Sequence, residues 1–295
     1  MKILCASDLH LRDDRPRCRT DNWYETTRSR LQWLIGLMNE NKCPLLIAGD
    51  ITDKGSNNQT LENLLLEEFG KALFPIWTIN GQHDTQYHSP KWLRKSTYWV
   101  MHQAKVIEHI ETKLHNNIIG DISGFSFGTP MTNGTGIAMC HRSVYPTTAQ
   151  IPFFMGEHTD TIGADELLDQ FDYELIVSGD VHMPFYLQHD GKTLINPGGL
   201  FRQKSDKKYT IPTVYLYEDG VVTGFEAPIV IDNVVQEYLI AEKARDSRIT
   251  AFVERLSTSA EIGLSFRDNV ELGFKTNKVR QVVKELVLKA MSNEL

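Results

Sequence analysis

Short apolar runs that stop abruptly at polar clusters alternate, over roughly residues 1–200, with stretches of helical periodicity. Lys2 to Ser7 predicts a buried strand that ends on Asp8-Leu9-His10. Residues 24–40 place Leu31, Leu34, Ile35 and Met38 on one face of an amphipathic helix. Pro44 to Ala48 predicts a second strand, ending at Gly49-Asp50, and residues 60–71 a second helix. Pro75 to Ile79 predicts a third strand, ending at Asn80-Gly81-Gln82-His83-Asp84. This βαβαβ opening predicts an α/β fold, whose ligand crevice lies beyond the carboxyl ends of the strands.

The middle of the chain reads as richer in strand. Gly136 to Cys140 predicts a strand ending at His141, residues 164–171 a short helix, and Glu174 to Ser178 a strand ending at Gly179-Asp180-Val181-His182. Two hairpins follow, Tyr186 to Ile195 around Asp190-Gly191 and Thr213 to Phe225 around Asp219-Gly220, because Asp-Gly between apolar runs favours a tight turn. After Pro228 the character changes. Residues 237–259 and 276–292 predict two helices, joined by a segment containing Phe266 and Phe274. The expected organisation is a main domain over residues 1–228 and a small C-terminal region over 229–295.

Composition narrows the class without choosing a function. The chain has 295 residues, 41% of them hydrophobic and 23% charged, which suits a globular protein. Its formal net charge of −7 argues against coating nucleic acid by bulk electrostatics, although bound divalent cations would add local positive charge. Cys5, Cys18, Cys43 and Cys140 show neither CxxC pairing nor regular spacing and are expected as free thiols. The apolar start is too short for a signal peptide, and no run approaches the roughly 20 apolar residues that span a bilayer. The expectation is a cytoplasmic protein.

The chemistry sits at five strand ends: Asp8-x-His10, Gly49-Asp50, Gly81-Gln82-His83-Asp84, Cys140-His141 and Gly179-Asp180-Val181-His182. Each piece alone is weak, since a GD dipeptide is usually a turn, but the ordered set is specific. It resembles the calcineurin-like metallophosphoesterases over about residues 1–200, including the Asn196-Pro197-Gly198-Gly199 turn. The resemblance implies an α/β four-layer α-β-β-α sandwich and two divalent cations. Together these would acidify a bridging water and clamp the phosphate. It implies Asp8, His10 and His182 for the first ion, Asp50 as the bridge, and His141, Gln82 and Asp180 for the second. It implies that His83 protonates the leaving oxygen, with Asp84 expected to orient it. Gln82 and Asp180 depart from the family pattern, which usually has Asn and His there. Asp for His makes the second site harder, so Mn²⁺ is expected, with Mg²⁺ as the other candidate.

Within the superfamily, the opening motif, the motif spacing and the C-terminal region resemble the Mre11/SbcD nuclease branch, to which phage recombination nucleases belong. For a phage protein the compartment would be the host cytoplasm. That resemblance implies DNA as substrate, roles in repair or recombination, and a Rad50/SbcC-like ATPase bound through the C-terminal region, and it leaves room for a homodimer. Arg12, Arg15, Arg17 and Arg19, and Arg202, Lys204, Lys207 and Lys208, are candidate phosphate-backbone contacts, with Arg12, Arg15, Arg202 and Lys204 the leading ones. A basic run is more often a solvated surface. Trp23, Tyr24, Tyr87, Trp92, Tyr98 and Trp99 flank the early motifs and are candidates for base stacking or for ordinary packing. His88, just past the third motif, is a candidate pocket residue. Asp53 stands near where the nuclease branch often carries a histidine, and GDxTD is also common in small-molecule phosphodiesterases. A phosphodiesterase for nucleotides or other small phosphoesters, and a non-catalytic metal-binding scaffold, are the alternatives.

Overall fold

The computed structural model describes residues 1–152, 161–235, 270, 272–275 and 279–291. The chain divides into two units, Met1–Val235 and Gln236–Leu295. The first unit opens with β1 (Lys2–Ala6), α1 (Trp23–Asn41), β2 (Leu45–Ala48), α2 (Gln59–Phe69) and β3 (Ile76–Ile79). Next come α3 (Thr97–Gln103), β4 (Glu108–His109), β5 (Lys113–Asn116), β6 (Gly120–Phe125), β7 (Ile137–His141) and β8 (Val144–Tyr145). The unit ends with β9 (Ile162–Gly163), α4 (Ala164–Gln170), β10 (Leu175–Gly179), β11 (Phe185–His189), β12 (Lys192–Asn196), β13 (Thr213–Glu218) and β14 (Val221–Glu226).

Two six-stranded sheets form, ordered β14-β13-β1-β2-β3-β4 and β11-β12-β10-β7-β6-β5. β1 to β4 run parallel, as do β6, β7, β10 and β12; the β13–β14 hairpin closes one edge of the first sheet, and the β11–β12 and β5–β6 hairpins close both edges of the second. β1, β2, β3, β7 and β10 are buried on both faces and therefore read as mostly apolar runs. Alternate residues sort into layers. Ile3, Cys5, Leu46, Ala48, Trp77 and Ile79 meet Ile137, Met139, Leu175 and Val177 between the sheets. Leu4, Ala6, Leu45 and Ile47 face Leu31, Leu34, Leu64 and Leu65 of α1 and α2. Ala138, Cys140, Ile176 and Leu194 face Leu167 and Leu168 of α4. The result is the expected α-β-β-α sandwich, with helices outside two facing sheets.

The helices begin where the chemistry favours it. Asn22 and Asn58 cap α1 and α2 by accepting from the backbone N–H of Glu25 and Leu61, and Lys42 closes α1 in the left-handed region at φ 53°. All four cysteines are buried and unpaired. In the second unit the expected helix over 276–292 is present as Gln281–Met291, and the one over 237–259 lies outside the described residues. Among the described residues, no helix is long and apolar enough to cross a membrane.

Candidate metal centre

The parallel strands of both sheets deliver their carboxyl ends to one edge, and the motif residues meet there. His141 Nδ1 donates to the Ala48 carbonyl at 2.8 Å, tying the second sheet to the end of β2 and turning Nε2 toward Asp50. The backbone N–H of Asp180 reaches across to Asp8 Oδ1 at 3.0 Å. The glycines of the motifs leave room for this approach. A methyl group at Gly81 would collide with the Asp50 carboxylate, and one at Gly179 with the Ala48 carbonyl. The Asn196 turn buttresses the last motif, because Asn196 Nδ2 donates to the carbonyls of Val181 and Met183 on either side of His182.

Ligand-competent atoms converge. His10 Nε2 lies 3.5 Å and His141 Nε2 3.3 Å from Asp50 Oδ2, His10 Nε2 lies 3.0 Å from His182 Nε2, and His182 Nε2 lies 3.9 Å from Asp8 Oδ1. Among the described residues three groupings could hold a cation: Asp8–His10–His182, Asp8–Asp50–His141 and His10–Asp50–His83. Asp8 Oδ2, Asp50 Oδ2, Gln82 Oε1 and His141 Nε2 are buried without a hydrogen-bond partner. Buried polar atoms are rarely left in that condition, so this set fits divalent cations. The electrostatics agree. Burial opposes protonation of His141, but the Asp50, Asp8 and Asp180 carboxylates overcome it and lift its pKa to about 10. Burial likewise opposes protonation of His10, and Asp53, Asp50 and Asp8 outweigh it. Asp50 is pushed the other way: burial raises its pKa, but the charges of His141 and His10 hold it well below the usual carboxylate range. A potential that draws protons this strongly also draws metal ions.

His83 stands beside the cluster. Its backbone N–H donates to Asp50 Oδ1 at 2.8 Å and its Nδ1 meets the Asp53 carbonyl at 3.1 Å. Burial lowers its pKa, and His10 adds to the lowering. His88 packs edge-on against it with ring centroids 5.2 Å apart. Asp84 does not orient His83. It is fully buried and its carboxylate accepts from the Thr52 N–H and hydroxyl and the Gly81 N–H, so it holds two motif loops together. Burial and the nearby Asp50 charge raise its pKa to about 7. The orienting contact comes from Asp53, whose carboxylate also lies 3.4 Å from His10 Nδ1 and 3.2 Å from the Arg12 guanidinium. Asp180 falls outside the cation-competent groupings of the described residues, with its carboxylate held by Gln82 and Ser143. No spacing rule marked Ser143.

A cavity of about 150 Å³ opens over Asp8, His10, His83 and His182, bordered by Arg12, Lys204 and Lys207. Arg202 also borders it, but its guanidinium is spent on Asp232 and on backbone carbonyls, including that of Lys208 at 2.6 Å. Arg19 is buried against Asp21 and Asp232, and Arg15 lines a separate cavity between the starts of α1 and α2. Arg19 and Arg202 followed the motifs in sequence, but their guanidinium groups are taken up by buried ion pairs with Asp232.

The family profile of the calcineurin-like phosphoesterases matches residues 1–184. The chain belongs to that family. It is therefore a metal-dependent phosphoester hydrolase, and the groupings above could hold its cations. No curated protein matches the sequence. One solved structure, described as a novel archaeal phosphodiesterase, aligns over 77% of this chain and 99% of its own at 14% identity, with a TM-score of 0.41. Two divalent cations held by Asp8, His10, Asp50, His141 and His182 would supply an acidified water and charge to screen the phosphoryl oxygens.

Proposed function

We propose that this phosphoesterase is a nuclease that cleaves phosphodiester bonds in DNA, with Mn²⁺ as its working ion. The observation that carries the reading is the shape and rim of the cleft. At about 150 Å³ the cavity over the cluster is smaller than the 300–1,000 Å³ typical of sites that enclose a small molecule. It takes in a phosphate while the rest of the substrate lies outside, as a polymer does. Lys204 and Lys207 border it, and Tyr87, the chain neighbour of His88, has 82% of its surface exposed. Tyr87 and His88 both adopt left-handed backbone conformations, φ 56° and 51°, which are costly for bulky side chains. That cost exposes one ring and seats the other on His83, and Tyr87 with Trp92, 5.8 Å away, forms a platform on which a base can stack. In this reading His83 protonates the leaving oxygen. An anionic phosphate brought against it opposes the lowering by burial. The C-terminal region is proposed, from resemblance to the Mre11/SbcD branch, to bind a Rad50/SbcC-like ATPase.

The test incubates protein and Mn²⁺ with labelled single- and double-stranded DNA, beside bis-p-nitrophenyl phosphate. DNA is expected to be cut. Lys204→Ala with Lys207→Ala is expected to raise KM for DNA about tenfold and to reduce its salt dependence by about two released counterions, while moving KM for the small ester far less. Hydrolysis of the ester with no DNA cleavage, even with a partner ATPase, would point instead to a small-molecule phosphodiesterase. A second cavity of about 350 Å³ beside His141 and Asp180, walled by Phe127, Met131 and Phe171, favours that second reading.

A further inference from the structure

Gln82 and Asp180, the two departures from the family pattern, touch each other. An amide has a donor end and an acceptor end, and only the carbonyl can bind a cation. Gln82 Nε2 donates to Asp180 Oδ1 at 2.7 Å. A carboxylate accepts only, so Asp180 sorts the amide, nitrogen toward itself and oxygen away. The oxygen so released, Gln82 Oε1, is buried and unpartnered, as are Asp50 Oδ2 and His141 Nε2. Asp180 is itself fixed, because the Ser143 hydroxyl donates to its Oδ2 and its own N–H is anchored on Asp8 Oδ1. Its backbone is held in the left-handed region at φ 94°.

We infer that Asp180 is a positioning residue and not a ligand: the second cation is held by Asp50, His141 and the Gln82 carbonyl, which Asp180, anchored by Ser143, turns toward it. The Asp in this motif thus replaces a direct ligand with a carboxylate that orients a longer amide from the neighbouring loop. The inference rests on the metal binding of the family and not on the identity of the substrate.

The test is a double-mutant cycle read by Mn²⁺ binding, using calorimetry for the two affinities and electron paramagnetic resonance for the signature of coupled ions. Asp180→Ala is expected to weaken the second ion by about 10- to 100-fold and to replace the coupled spectrum with a mononuclear one, while the first ion binds as before. Glutamate presents an oxygen at either end and needs no sorting, but Gln82→Glu sets two carboxylates against each other. In the Gln82→Glu background, Asp180→Ala is therefore expected to tighten the second ion and restore the coupled spectrum. If Asp180 ligates the ion, its removal weakens binding in both backgrounds, and that result overturns the inference, as does no effect in either. Unchanged first-ion affinity certifies the fold. Should the single Asp180→Ala variant fail to fold, the sign of the change between Gln82→Glu and the double variant still decides.

Discussion

Asp8, His10 and Asp50 sit at φ 50°, 44° and 50°, in the left-handed region that most residues avoid. Each costs on the order of 1 kcal/mol, and such strain gathers where side chains must be aimed at one point. The turn that follows each strand points a ligand inward instead of letting it continue along the pleat. Orientation then passes to the neighbours, Asp53 above all, which contacts His10 through its carboxylate and His83 through its carbonyl. Asp53→Ala is expected to lower affinity for the first ion by about 10- to 100-fold, measured by Mn²⁺ titration, because a carboxylate behind a ligating histidine fixes its ring and raises its basicity. The His83 contact is made by the backbone and survives the substitution. His83→Asn is expected to lower kcat by about 10²- to 10⁴-fold with the metal stoichiometry unchanged. Loss of an ion in that variant would make His83 a ligand, as its grouping with His10 and Asp50 allows.

At the scale of elements, the strands that carry motifs were legible because they are buried on both faces and end in polar residues. The Asp-Gly turns marked the β11–β12 and β13–β14 hairpins for the same kind of local reason. The stretch from Thr85 to Thr135 carries no comparable pattern. β5 is an edge strand of sequence Lys-Leu-His-Asn, half of it exposed. β6 is mostly buried but includes Ser123 and Gly124, the latter pressed on Ile110, so it shows no run of large apolar residues. α3, with Thr97, Tyr98, Trp99 and Val100, has a strand-like composition and is kept helical by its Ser96 cap and its packing. This region holds a pH-sensitive contact, since Tyr98 Oη donates to His109 Nδ1 at 2.8 Å across the gap between α3 and β4. Burial and the neighbouring His102 push the His109 pKa down to about 4. Its neutral form therefore contributes to stability above the unfolded value near 6.5, and that contribution is lost as pH falls from there toward 4. His109→Asn keeps an acceptor for the tyrosine and removes the titration. The wild-type chain is expected to lose about 2 kcal/mol more than the variant between pH 6.5 and 4, measured by urea unfolding across that range. Parallel stability curves for the two chains would remove His109 as the cause.

Across the whole first unit, the metal centre depends on residues far along the chain. The contacts carry that unit through Val235, and the last stretch is pinned by one carboxylate. Asp232 lies between three arginines, with Oδ1 at 3.0 Å from both Arg19 and Arg30 and Oδ2 at 3.1 Å from Arg202, and its side chain is fully buried. Arg19 and Arg202 stood out in the sequence as basic residues near motifs, Arg30 did not, and none pointed to a distant acid, because nothing local links residue 232 to residues 19, 30 and 202. The pairing matters to the site through the adjoining residue, as Gln203 donates to the His10 carbonyl at 2.7 Å. Removing a buried charge partner is far more costly than never having had it, since the guanidinium groups keep their desolvation penalty and lose its compensation. Asp232→Ala is therefore expected to destabilise the protein by about 3–5 kcal/mol, read as a lower urea midpoint with an unchanged slope. It is also expected to weaken first-ion binding at temperatures where the variant is still folded, because Arg202 and Gln203 shift together under His10. A loss below about 1 kcal/mol, the range of exposed ion pairs, would mean that the three arginines find other acceptors or water. The −7 net charge would then conceal a basic pocket open to anions.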